Sequence, residues 1–146
     1  MGHSFRVSEL ESALGLAQID DLPDIIKRRQ EIAEYFNQKL KPLEDKELLQ
    51  LSRTRPNTEN ARMMYPVIIL QESKQDFMRH LLNNGIGVRD ALPLTNQPVY
   101  KGLFNENDYP VAKWVNEHGL YWGCHQSLSQ DDLDYLVQVV FDYFSV

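Results

Sequence analysis

One cysteine, Cys124, stands in 146 residues, so no intrachain disulfide can form. That removes the stapled class of small secreted domain and points to a reducing compartment. Positive charge is also short: 15 Lys and Arg face 21 Asp and Glu, a net charge of -6. Proteins that bind nucleic acid or anionic membranes carry a basic footprint, so neither is expected as a partner. A small anionic ligand held by a few placed donors is still allowed. No run comes near the ~20 apolar residues of a membrane span, and the N-terminus lacks the basic-then-apolar pattern of a signal peptide. These absences describe a cytoplasmic protein. The four histidines, His3, His80, His118 and His125, have no ligand spacing and no further cysteines to join, so no metal site is expected. Gly85-Ile86-Gly87 follows a helical pattern and precedes an extended one, the reverse of a phosphate-binding loop, and reads as a helix stop.

What is present fits one globular domain over residues 1–146, large enough to fold without a staple. Ser8-Glu9-Leu10-Glu11 is a capping box, followed by Leu10, Ala13, Leu14 and Ala17 at helical spacing. Pro23 then forces either a kink or a restart capped by Asp21. The pattern resumes through Ile25, Ile32, Ala33, Phe36 and Leu40, with Pro42 as the expected stop. Leu48 to Leu51 is a candidate strand and Arg53 to Arg62 a loop. Met63 to Leu70 reads as a buried strand, in which Pro66 suggests an edge or a bulge. Ser73 caps a helix carrying Phe77, Met78, Leu81 and Leu82, and Ile86 to Arg89 is a short strand. Asp90 to Pro110 holds three prolines and little periodicity, the length of loop that is usually functional. Val111 to His118 is a short helix and Leu120 to Cys124 a strand. Ser129 and Asp132 open a last helix striped by Leu133, Leu136, Val137, Val140, Phe141 and Phe144. The sum is an α+β domain, a small antiparallel or mixed sheet covered by helices, with a long kinked helix at its N-terminus.

Catalytic chemistry is not visible in these residues. Cys124 and His125 are neighbours on a strand and point to opposite faces, a poor nucleophile–base pair. Asp131, Asp132 and Asp134 cluster at a helix start, where negative charge suits the dipole. Lys27, Lys39, Lys41, Lys46, Lys74, Lys101 and Lys113 all sit on charged helix faces or in polar loops. A lysine that bonds a carbonyl cofactor needs burial or a cationic neighbour to lower its pKa. No catalytic residue is assigned.

Several stretches resemble the DegT/DnrJ/StrS family of pyridoxal-phosphate sugar aminotransferases. The opening Gly2-His3-Ser4-Phe5-Arg6-Val7-Ser8-Glu9-Leu10, continuing through Ala13-Leu14-Gly15-Leu16-Ala17-Gln18, is similar to the family segment that leaves the large domain and enters the small one. "KRRQEIAEYFNQKL", "LLNNGIGVR", "NQPVY" and "YPVAKWVNEHGLYWGCHQSLSQDDLDYLVQVV" follow in the family's order, so the likeness spans essentially the whole chain. It implies the small C-terminal domain of a fold-type I transferase, cut where the opening motif begins. The large domain with the cofactor's lysine would lie upstream.

The resemblance implies two sites. In the family an Asn at the position of Ser4 reaches the cofactor phosphate of the partner subunit in a homodimer. Ser4 would take that role here, with Arg6 or His3 sharing it. The loop after "GIGVR" lines the sugar pocket in the family, often with two histidines. This chain keeps Pro93, Gln97, Pro98 and Tyr100 but has neither histidine, so Arg89, Asp90, Thr95, Asn96, Gln97 and Tyr100 would shape a different polar pocket. The resemblance therefore implies a domain of an aminotransferase acting on a nucleotide-linked keto-sugar, with pyridoxal phosphate in the full-length parent and none expected in this chain alone. A stand-alone sugar-nucleotide-binding or regulatory module derived from such a domain is the alternative. Either version leaves an apolar surface exposed where the large domain would dock.

Overall fold

The computed structural model describes residues 6–100 and 102–145. The opening positions His3 and Ser4 lie outside the described residues. Among the described residues five α-helices surround four short strands. Helices α1 (Glu9–Ile19) and α2 (Leu22–Asp45) lead to β1 (Leu49–Gln50) and β2 (Met64–Ile69). Helix α3 (Lys74–Asn83) and β3 (Val88–Asp90) follow, and then a segment carrying three 3-10 turns. Helix α4 (Pro110–His118), β4 (Gly119–Gly123) and α5 (Gln130–Phe144) complete the chain. The sheet has the order β1-β2-β4-β3 and every pair is antiparallel. This settles the antiparallel-or-mixed choice.

Alternation builds the inner face: Tyr65, Val67 and Ile69 of β2 lie beside Leu120 and Trp122 of β4, all buried. Against them pack Ile32, Ala33, Phe36, Leu40 and Leu43 of α2, Phe77 and Leu81 of α3, and Leu133, Leu136, Val139 and Val140 of α5. The last stripe includes Val139, which the spacing argument passed over; Val137, Phe141 and Phe144 sit at its half-buried margin. Trp122 is the centre, stacked on Tyr65 at 5.4 Å between centroids and edge-on to Phe36 at 5.9 Å.

Local signals held where the chemistry was local. Ser8 Oγ accepts from the Glu11 N–H at 3.3 Å, and the Glu11 carboxylate takes the Ser8 N–H at 2.8 Å. Ser129 and Asp132 form the same box at α5. Gly85 ends α3 at φ 76°, the left-handed conformation a glycine adopts without strain. At Asp20–Asp21 the helix is interrupted, and α2 restarts with Asp21 at its N-cap and Pro23 in its first turn; the Asp21 side chain makes no capping bond.

Two expectations need correction. Pro42 does not stop α2, which runs on to Asp45. The proline loses its own N–H bond and crowds the carbonyl one turn back, but the turn beyond it is held: Leu43 is fully buried in the core, and the Lys46 N–H continues the helical pattern to the Pro42 carbonyl at 3.3 Å. Pro66 lies in a strand with neighbours on both sides. It behaves as a local edge all the same, because β1 faces only Ile68 and Ile69.

Glu44 ties that last turn to β1. Its Oε1 accepts from the Leu51 N–H at 3.2 Å and from Arg53 at 3.2 Å, while Lys41 approaches Oε2 at 3.0 Å. Burial pushes its carboxyl pKa up, but Lys41, the Leu51 amide and Arg53 together hold it below the usual value. A carboxyl depressed in the folded state stabilises above its unfolded pKa of about 4.3 and loses that contribution as pH falls through the folded value. Glu44→Gln should therefore cost about 1–2 kcal/mol at neutral pH. Urea midpoints at pH 7 and pH 3 should show the gap from the unmodified chain narrowing in acid; an unchanged gap would mean the carboxylate charge plays no part.

Candidate functional site

The outer face of the sheet is less completely covered. Met64 and Pro66 of β2 and Tyr121 of β4 project there, and α4 lies across part of it through Ala112 and Val115. With Asp90, Ala91, Leu92 and Pro93 from the segment after β3, these side chains line a cavity of about 520 Å³. That volume falls within the range that holds small-molecule ligands. Its lining is mainly apolar, with Asp90 and Tyr121 as the residues that carry polar side chains. Arg89, the cross-strand partner of Tyr121, is on the same face and exposed.

Gly119 makes the arrangement possible. Helix α4 passes into β4 without a loop, and a Cβ at this position would stand 2.6 Å from the Val115 carbonyl oxygen and 3.1 Å from Ala91 Cβ. Gly119→Ala is expected to destabilise the domain by about 2 kcal/mol through overpacking, and to move α4 away from the cavity. Urea denaturation together with chemical shifts of Ala91 and Ala112 would test this. Wild-type stability with unmoved alanine signals would refute it.

The segment after β3 runs through turns at Leu94–Asn96, Pro98–Tyr100 and Glu106–Asp108. Of the residues the sequence pointed to, Asp90 lines the cavity and Arg89 flanks it. Thr95, Asn96, Gln97 and Tyr100 lie further along, in or beside the turns, and do not line it. Gln97 Nε2 donates to the Pro93 carbonyl at 3.3 Å, and the Tyr100 ring packs against Phe104 at 5.8 Å. Thr95 Oγ1 is buried without a hydrogen-bond partner among the described residues, whereas Asn96 is exposed. Arg6 is exposed ahead of α1. Sequence reasoning missed Met64, Pro66, Ala112, Val115 and Tyr121. The alternation of Leu120, Tyr121 and Trp122 could have found Tyr121, since its two neighbours are the inward pair.

Lys74 is the other correction. The sequence placed it on a charged helix face, yet it is 6% exposed. Its Nζ lies 2.8 Å from Asp90 Oδ1 and donates to the Asn116 carbonyl. Cys124 is buried and its thiol is pushed up to about 11 by that burial, far from a reactive thiolate. Among the described residues, no group of three or more His, Cys, Asp or Glu could hold a metal ion. No helix among them is long and apolar enough to cross a membrane.

A four-stranded antiparallel sheet with this helical cover is an aminotransferase-type fold. It superposes with a TM-score of 0.86 on the aminotransferase from Psychrobacter cryohalolentis, at 23% identity, covering 99% of this chain and 40% of that one. The chain belongs to the DegT/DnrJ/EryC1/StrS aminotransferase family, whose description matches residues 1–141. It is 26% identical over 145 residues to the UDP-4-amino-4,6-dideoxy-N-acetyl-beta-L-altrosamine transaminase of Campylobacter jejuni, covering 97% of this chain and 38% of that enzyme. It is also similar to the E. coli GDP-4-keto-6-deoxy-D-mannose-3-dehydratase, solved with bound hydrated PLP, at 28% identity and a TM-score of 0.80, covering 95% of this chain and 36% of that one. The chain thus spans two fifths or less of the length of these proteins.

The described residues do not by themselves fit pyridoxal phosphate. The cofactor's covalent partner in aminotransferases is a lysine. Here no lysine lines the cavity, and the one buried described lysine, Lys74, is engaged by Asp90 and Asn116.

Proposed function

We propose that this chain acts as the sugar-facing domain of a longer, cytoplasmic, homodimeric aminotransferase that uses pyridoxal phosphate and a nucleotide-linked keto-sugar. The observation that carries this reading is α1. It has no buried residue, and Val7, Leu10, Leu14, Leu16, Ile19 and Leu22 are all exposed. A helix that is apolar on more than one side and stands uncovered is not stable alone in water; it is a helix made to be enclosed. In this reading a large domain encloses it, and that domain brings the lysine that the cavity lacks among the described residues. Ser4, with Arg6 and His3, reaches toward the cofactor phosphate of the partner subunit. Arg89, Asp90, Thr95, Asn96, Gln97 and Tyr100 face the sugar nucleotide, and the chain is inactive alone.

The test is pyridoxal phosphate added to the isolated chain, followed by borohydride reduction and peptide mapping. The expected result is no lysine modified in stoichiometric amount. One lysine modified fully would give this chain its own cofactor site and overturn the reading.

A stand-alone binding module is favoured by a different observation, the continuous core that α2, α3 and α5 complete without α1. Titration of the isolated chain with a UDP-hexose and a GDP-hexose, followed by amide chemical shifts, separates the two. Saturable binding at micromolar concentration supports the module.

A further inference from the structure

The segment between β3 and the end of α4 is nearly self-contained. Among the described residues, the hydrogen bonds made by 92–109 stay within 93–113: Gln97 to Leu94, Tyr100 to Gln97, Leu103 to Tyr100, Tyr109 to Glu106 and Lys113 to Tyr109 and Asn107 are examples. Its two ends are held differently. Asp90 stands at the last position of β3, Asn116 lies near the end of α4, and one side chain from a third element binds both. Lys74, the first residue of α3, pairs with the Asp90 carboxylate and donates to the Asn116 carbonyl. Beside this clip, the Ala91 N–H reaches the Gly119 carbonyl at 3.2 Å.

A buried ammonium is retained only where partners satisfy it, because removal from water costs several kcal/mol per ion. Lys74 is satisfied only if Asp90 and Asn116 arrive together. We infer that Lys74 is a positioning residue: its ammonium clips the two ends of segment 91–115 to α3 and so fixes where the walls of the outer-face cavity stand. The consequence for a sugar nucleotide rests on the function proposed above, whereas the clip itself does not. The segment moves as a unit about its base, and Lys74 limits that motion. Asp90 is thereby committed to Lys74 through one oxygen, and as its side chain is 41% exposed the carboxylate keeps a free edge toward solvent.

Hydrogen exchange read by mass spectrometry on the full chain tests the clip. In Lys74→Met, peptides within 91–115 should exchange at least tenfold faster, while peptides from α2 and β2 keep their rates. Lys74→Arg, which retains the charge, should return the segment to within about threefold of the unmodified rate. If Lys74→Met does not fold, Asp90→Asn takes its place. It removes the ion pair, leaves the Asn116 bond, and should accelerate the same peptides about threefold. Unchanged exchange in the segment, or an equal rise throughout the chain, overturns the inference. The same samples are then titrated with a UDP-hexose and a GDP-hexose. Binding that weakens tenfold or more in Lys74→Met supports the link from clip to cavity, and equal binding by both proteins breaks it. If neither probe protects the segment in the unmodified chain while the exchange result stands, the stand-alone module reading fails and the clip survives.

Discussion

Trp122→Ala is expected to cost the domain a large share of its stability at room temperature. The indole is 1% exposed and lies on β4, the strand that joins β2 to β3. It stacks on Tyr65 and meets Phe36 of α2 edge-on, so sheet and helix lose their shared contact together. Truncating a buried Trp to Ala costs about 4 kcal/mol, and a domain of this size has a total stability of only about 5–15 kcal/mol. Near-ultraviolet circular dichroism and a urea titration read the result. A cooperative transition within about 1 kcal/mol of the unmodified chain would mean the core is organised elsewhere. Trp122→Phe keeps an apolar ring in place and should fall between the two.

The second large effect concerns association. Leu10→Gln combined with Leu14→Gln removes two apolar side chains that stand 73% and 63% exposed one helical turn apart. At concentrations low enough for both proteins to be monomeric the urea midpoint should not move, because no residue of α1 is buried in the domain. Burying two leucines against a partner is worth about 3–6 kcal/mol, so any association through this face should weaken by at least a hundredfold. Sedimentation velocity across a range of concentrations distinguishes the outcomes. The unmodified chain should self-associate and the double variant stay monomeric. Equal behaviour of the two would show that α1 is not a contact surface.

How far the sequence could be read depended on the distance between cause and effect. The caps at Ser8, Ser73 and Ser129 and the stop at Gly85 are decided within four or five residues, and each was legible. The helices and the strand near Gly119 follow from periods of 3.6 and 2, and apart from the end of α2 they stand within about a residue of where the pattern put them. Pro42 misled because a proline's local cost was weighed without Leu43 and Glu44, whose partners come from other elements. Lys74 was misread for the same reason: its partners are 16 and 42 residues away, and a lysine at a helix start ordinarily faces water. Of the candidate site, the resemblance pointed to the segment after β3, and Asp90 does line a cavity. Ala91, Leu92 and Pro93 of that segment join it, while the remaining walls come from β2, β4 and α4, elements that only folding brings together.

The strand order has a consequence for how the chain is made. Strands β2 and β3 never touch; β4 lies between them and follows both in sequence. Until β4 emerges during synthesis, β2 has only the two residues of β1 beside it, and β3 has nothing. Long-range pairing of this kind is slow and leaves apolar strand edges open to other chains. A nascent chain halted before Gly119 would thus carry every helix but α5 and almost no sheet, so chaperone capture during translation should concentrate on the apolar run Met63 to Leu70.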